Sequence, residues 1–233
     1  MHLGSTVLDW LNSLLGDPAH RRAWVLAAND GVIATAGILE GFAGAGVDDA
    51  TIFLAAMAAT VSGSLAAGGA KWAEEASERD AQLLAIEEER REIRRQPEIE
   101  HAELAAYYEG KGLSPHLAAE VATELMRRSP LKAQLESEHG VLELISPADI
   151  RLSTIGTTLA YAAGAAVPLL VTILAPVQLE TPLVLVAVVL SLSVTAIIGA
   201  RAGRVNVART LVRTLVIGVG TMAISYLVGL LAF

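Results

Sequence analysis

The sequence predicts an all-α membrane protein: five transmembrane helices with a cytoplasmic helical domain inserted between the second and third. Three observations predict it. Hydrophobic residues make up 53% of the 233-residue chain and aromatic residues only 4%, a balance unlike that of ordinary soluble domains. Five stretches each supply the roughly 20 mostly apolar residues that a helix needs to cross a bilayer. The charge, finally, is gathered in one place. Residues 72–150 hold 18 of the 25 acidic side chains against 9 of the 17 basic ones, so the formal net charge of −8 belongs to that segment.

Taken in order, residues 1–22 have no basic segment ahead of a long apolar core and do not read as a cleaved signal peptide. They read as a short amphipathic segment with Trp10 at the membrane interface. The transmembrane helices fall at about 24–46, 50–70, 154–174, 182–200 and 207–233, so residues 23–71 carry the first two and 151–233 the last three. All Lys and Arg residues lie on one side of this map, while the opposite loops, GAGVDDA and APVQLETP, have none. By the positive-inside rule that side is the cytoplasm, which places the N-terminus and residues 72–150 inside and the C-terminus outside. A compact chain without targeting signals suits a plasma (inner) membrane.

Proline and glycine punctuate the polar segment. A helix over 72–96 continues the second transmembrane helix, and Pro97 opens a new one, since proline is tolerated in a first turn but not in an interior. Gly110 and Gly112 end that piece, and Ser114-Pro115 and Ser129-Pro130 each offer an N-cap followed by proline for two more short helices. Pro168 predicts a kink in the third transmembrane helix.

With no cysteine, disulfides, thiolate metal sites and thiol nucleophiles are excluded, and any metal must be held by oxygen, imidazole or thioether. The acidity of the polar segment argues against nucleic acid as a partner. Inside the apolar stretches the informative residues are few. Asp30, in AANDGVIATAG, lies about six residues or roughly 9 Å into the first, where a charge costs at least about 2.5 kcal/mol on insertion scales. It either faces a pathway or partner, or caps and bends the helix beside Gly31. Glu40 lies ten residues on, roughly 15 Å away, and is either a second station or already at the outer interface. Lys71 ends the second stretch, where a snorkelling interfacial lysine is the ordinary reading.

In the polar segment, Glu89 with Glu92 and Glu100 with Glu103 stand three residues apart, on one helical face each. Like charges at that spacing repel, and a divalent cation would relieve them. Glu136 and Glu138 in QLESEHG lie further on, with His101, His139 and Met126 as softer ligands, a mixture suited to Fe(II) or Mn(II). A solvated face is the competing reading, because Glu87 and Arg91 stand at the ordinary i,i+4 spacing. An enzyme alternative also exists. Glu98-x-x-His101 and Glu136-x-x-His139 match the motif used twice by di-iron carboxylate bundles, which would make the segment a membrane-anchored ferroxidase or, without turnover, a metal sensor. The prolines cut this region shorter than such bundles need.

NDGVIATAG, SERDA, EEERREI, YYEGKGLSPHLAAEVATELM, GAAVPLL and LVIGVGTMAISYLVG together resemble the vacuolar iron transporter family over nearly the whole chain, as a bacterial-type member. The resemblance implies a five-span homodimer with its pathway at the dimer interface, a cytoplasmic three-helix metal-binding domain, and export of Fe(II) against protons. By position it implies that Asp30 is the intramembrane carboxylate, that Glu89, Glu92, Glu100 and Glu103 are metal ligands on the first two helices, and that Glu138 is the third-helix glutamate, with Glu136 its neighbour. Two departures stand out: an expected Glu-Leu-Gly reads Glu138-His139-Gly140, and an expected Gly-Glu-Tyr reads Ala70-Lys71-Trp72. Either Glu40 replaces the missing charge or Lys71 alters ion choice or coupling. The expectation is therefore a transporter, not an enzyme, with membrane lipid, divalent metal ions and protons as partners and no prosthetic group.

Overall fold

Prolines and glycines set most of the helix ends. The structure, a computed structural model, describes residues 18–176 and 179–232, and among these it contains eight α-helices and no strand. They are α1 (Pro18–Gly44), α2 (Asp49–Arg95), α3 (Pro97–Gly110), α4 (Pro115–Arg128), α5 (Pro130–His139), α6 (Pro147–Leu174), α7 (Glu180–Ala202) and α8 (Val207–Ala232). Five of them, α1, α2, α6, α7 and α8, are long and apolar enough to cross a membrane. Most of the expected N-terminal segment, Trp10 included, lies outside the described residues, and residues 18–22 already belong to α1.

The chain divides into two units: the described residues up to Trp72 together with those from Arg151, and residues 73–150. In the first, α1 packs on α7 and α8. Val32 and Ala36 of α1 meet Val184, Val188 and Leu192 of α7 and Met222 of α8, all buried. A second cluster joins Leu39 of α1, Ile52 and Ala56 of α2 and Leu169 of α6. Because lipid is as apolar as these side chains, close packing and interhelical hydrogen bonds hold such helices together. Thr35 and Thr60 supply one bond, 3.2 Å between hydroxyls, and Thr195 gives another to Asn29. Gly31 lets α6 approach: a methyl group there would collide with the carbonyl of Tyr161.

α6 starts at Pro147, seven residues ahead of the stretch expected from apolarity, because of a reciprocal cap. The Ser146 hydroxyl accepts from the Asp149 N–H, and the Asp149 carboxylate accepts from the Ser146 N–H, both at 3.1 Å.

In the second unit, α3, α4 and α5 enclose Leu104, Ala122 and Ala133, with Tyr108, Leu125 and Met126 against them. Ser114 caps α4 as its sequence predicts, accepting from the Leu117 N–H at 3.5 Å. Ser129 does not cap α5 with its side chain: its backbone, at φ −156° and ψ 70°, also ends α4. Gln82 of α2, buried, accepts the Ile145 N–H at 3.0 Å and so fastens the segment that follows α5.

Candidate metal centre

Within residues 73–150, three helices bring carboxylates to one place. Glu89 and Glu92 come from the last turns of α2, Glu100 and Glu103 from the first turns of α3, and Glu138 from the end of α5. α5 stops there because Gly140 adopts the left-handed conformation, φ +65°, which glycine takes without a Cβ clash, leaving His139 as the last helical residue.

The side chains form three overlapping groups: Glu89, Glu138 and His139; Glu89, Glu92 and Glu100; and Glu100, Glu103 and Glu138. Within each, ligand atoms lie within 4.8 Å of one another. Donor atoms held about 2.1 Å from an ion stand at most about 4.2 Å apart, so a small closing movement completes a coordination shell. Glu89, Glu100 and Glu138 each belong to two groups. They are the inner carboxylates, and Glu92, Glu103 and His139 belong to one group each.

Glu89 is fully buried, and among the described residues no N–H or O–H donor reaches either of its oxygens. Its close neighbour is another carboxylate, Glu100, so Glu89 can be satisfied only by a proton shared with Glu100 or by a cation. Burial, then that shared hydrogen bond, then the charges of Glu138, Glu100 and Glu92 push the Glu89 carboxyl up to about 8. Glu138 is raised as well, by burial first and then by Glu100 and Glu103. The nearest cationic candidate is His139, whose Nε2 lies 3.8 Å from Glu89 Oε2. An uncompensated carboxylate cluster with a fully buried member is costly as protein alone. It is what an oxygen-liganded divalent ion requires.

A residue the sequence reading passed over completes the site. Gln134, fully buried, donates from Nε2 to Glu100 Oε2 at 2.7 Å and to the Glu100 carbonyl at 2.8 Å. It fixes the rotamer of an inner carboxylate.

Glu136, Glu98 and His101 are not brought into these groups. Glu136 is exposed, with its charge felt by Tyr108, and His101 is hydrogen-bonded to Thr123 Oγ1 at 2.8 Å. Met126 packs into the Leu104 cluster. The two Glu-x-x-His motifs thus do not converge on one centre; of their four side chains only His139 joins a group.

In the membrane-spanning unit, neighbouring residues of the Asn-Asp-Gly motif point different ways. Asn29 is buried against Thr195, whereas Asp30 is exposed. Glu40 is buried near the end of α1, where it lines a cavity of about 180 Å³ together with Asp49 and Thr181. Lys71 is half-buried.

Five helices long and apolar enough to span a bilayer, with a separate unit carrying clustered carboxylates, define a polytopic membrane protein with a candidate cation site. The VIT family model matches residues 21–230, and the chain belongs to that family. It is 33% identical over 129 residues to a vacuolar iron transporter of Acanthamoeba castellanii, a match covering 55% of this chain and 46% of that protein. To vacuolar iron transporter 1 of Tulipa gesneriana it is 28% identical over 206 residues, 87% of this chain and 83% of the relative, and to that of Eucalyptus grandis 27% over 177 residues, 75% and 70% respectively.

Proposed function

We propose that the protein exports Fe(II), and also Mn(II), from the cytoplasm in exchange for protons, working as a homodimer. The observation that carries this reading is Glu89, a buried carboxylate among carboxylates with no protein donor to satisfy it. The relatives' names support iron as the cargo, since each is a vacuolar iron transporter.

In this mechanism residues 73–150 face the cytoplasm and concentrate cations electrostatically. Glu89, Glu100 and Glu138 hold the ion, Glu92 and Glu103 complete its shell, and Glu136 adds charge at the margin. The ion then passes to Asp30. The exposure of that carboxylate on a membrane-spanning helix supports a second copy, because facing it to lipid costs at least about 2.5 kcal/mol. Two copies offer a pair of Asp30 side chains, and protons arriving from the far side displace the ion. Glu40 provides a further acidic station toward the exit, and Lys71, where the family resemblance implies glutamate, tunes ion choice.

The test is flux of Fe(II), Mn(II) and Zn(II) into proteoliposomes holding the full-length protein, with and without an imposed pH gradient. Fe(II) and Mn(II) are expected to move faster than Zn(II) and to speed up with the gradient. Vesicles that stay impermeable to all three would refute the reading.

A further inference from the structure

Three arginines of the membrane-spanning unit, Arg22, Arg209 and Arg213, line a cavity that the proposed metal pathway does not use. Its volume is about 330 Å³, within the range of roughly 300–1,000 Å³ typical of small-molecule sites. Arg22 from the start of α1 and Arg209 and Arg213 from the start of α8 line it, and no Asp or Glu does. Arg209 and Arg213 stand four residues apart on one helical face, a spacing at which like charges repel. Among the described residues none of the three guanidiniums is paired with a carboxylate.

Other donors share the cavity. Asn206 caps α8, its Oδ1 accepting the Arg209 N–H at 3.0 Å, so the positive end of the α8 dipole opens here. Thr214 and the buried Asn29 add a hydroxyl and an amide to the wall, while the Thr210 hydroxyl beside them donates to the Asn206 carbonyl at 3.0 Å. Three cations, a helix N-terminus and neutral donors without a single acid select an anion. Guanidinium groups favour a phosphate ester, whose oxygens accept paired hydrogen bonds.

The remaining wall is apolar, made of Val25, Leu26, Ala196, Ala200 and Val205 among others. A free phosphate gains nothing from those side chains, whereas a lipid sets its acyl glycerol part against them. We infer that this cavity binds the phosphate headgroup of an anionic phospholipid, as basic pockets between transmembrane helices do. The arginines that mark the orientation of the chain in the membrane thereby also hold a specific lipid, at a site separate from the cation route.

Phosphate ester chemistry is shared by lipids and soluble metabolites, so the experiment distinguishes them. Full-length protein in neutral detergent is titrated by native mass spectrometry with short-chain phosphatidylglycerol, short-chain phosphatidylcholine and glycerol 3-phosphate. Phosphatidylglycerol is expected to bind at least about tenfold tighter than either of the others. The R209Q/R213Q variant should lose that preference. R201Q/R204Q, which neutralises two arginines at the same helix ends but outside the cavity lining, should keep it to within about twofold. Equal losses in both double variants would reduce the effect to surface attraction, and equal binding of glycerol 3-phosphate would make the site one for a free anion; either overturns the inference, as does the absence of a preference in the unaltered protein. Should R209Q/R213Q fail to fold, R22Q tests the same cavity from a different helix.

Discussion

Glu89 belongs to a unit built of polar sequence and is fully buried, whereas Asp30 belongs to a unit of apolar helices and is exposed. Each inverts what its surroundings favour: in water a charge belongs outside, and in lipid it belongs inside. The contrast shows that the two carboxylates are incomplete for different reasons. Glu89 lacks a countercharge of atomic size, because the groups around it already pack against it and are themselves acidic. Asp30 lacks a covering surface, because its own chain leaves it bare. In the proposed function a small cation satisfies the first and a second copy of the protein the second.

The largest expected effect separates these two needs. Asp30→Asn keeps the shape of the side chain and removes its charge. Transport in proteoliposomes should fall by at least about 100-fold, while Mn(II) affinity of the full-length protein stays within about twofold, since the carboxylate centre is in the other unit. Retained transport would remove Asp30 from the route. The reciprocal change is Glu89→Gln, which removes the buried charge. Calorimetry should show Mn(II) affinity reduced by about 100-fold, and thermal unfolding without metal at pH 9 should show a more stable protein than the parent, because the repulsion is gone. A variant that bound Mn(II) normally would return the cluster to an ordinary acidic surface.

Proton linkage sharpens the comparison further. The Glu89 carboxyl ionises near 8 in the fold against an ordinary 4.5 in the unfolded chain, so between those values the metal-free fold holds a proton that the unfolded chain has released. The stabilisation from that proton is complete below about 4.5 and is lost as pH rises through about 8. An incoming ion must displace the same proton. Below pH 8, Mn(II) affinity should therefore fall by up to about tenfold per pH unit, and above it should level off. Calorimetry at pH 9, 8, 7 and 6 reads the slope, and a flat profile would mean that binding releases no proton from Glu89.

Much of the fold was legible because apolar length and proline position act locally. Pro97, Pro115 and Pro130 each open a helix where expected, since a ring that fixes φ and lacks an N–H leaves few alternatives. The start of α6 was not legible from apolarity, because a hydrogen-bond pair between Ser146 and Asp149 sets it; the Ser-Pro-Ala-Asp pattern carried the signal. The exposure of Asp30 could not be read either. Ala28 and Val32 flank it with equally apolar character, so which face of α1 is covered depends on how α6, α7 and α8 pack. For the candidate site, the i,i+3 glutamate pairs lie on two of the three helices whose carboxylates the fold brings together. Spacing could not show that Glu138 joins them while Glu136 does not, since that depends on the angle at which α5 meets α3.

The smallest expected effect concerns Gln134, which a search for charged ligands passes over although it stands one helical turn before Glu138. Its amide donates to one oxygen of Glu100, leaving the other free for an ion. Replacing it by leucine of similar size removes the donor without opening a cavity, so two neighbouring buried carboxylates then have one partner fewer. Mn(II) affinity should drop by about tenfold, the scale of losing a supporting hydrogen bond to a ligand. Gln134→Glu gives the opposite control. It places a further carboxylate against Glu100, which worsens the repulsion in the free protein but adds an oxygen ligand of full charge. If positioning is what Gln134 contributes, both variants weaken binding at pH 7; if only local charge matters, the glutamate variant binds more tightly than the parent.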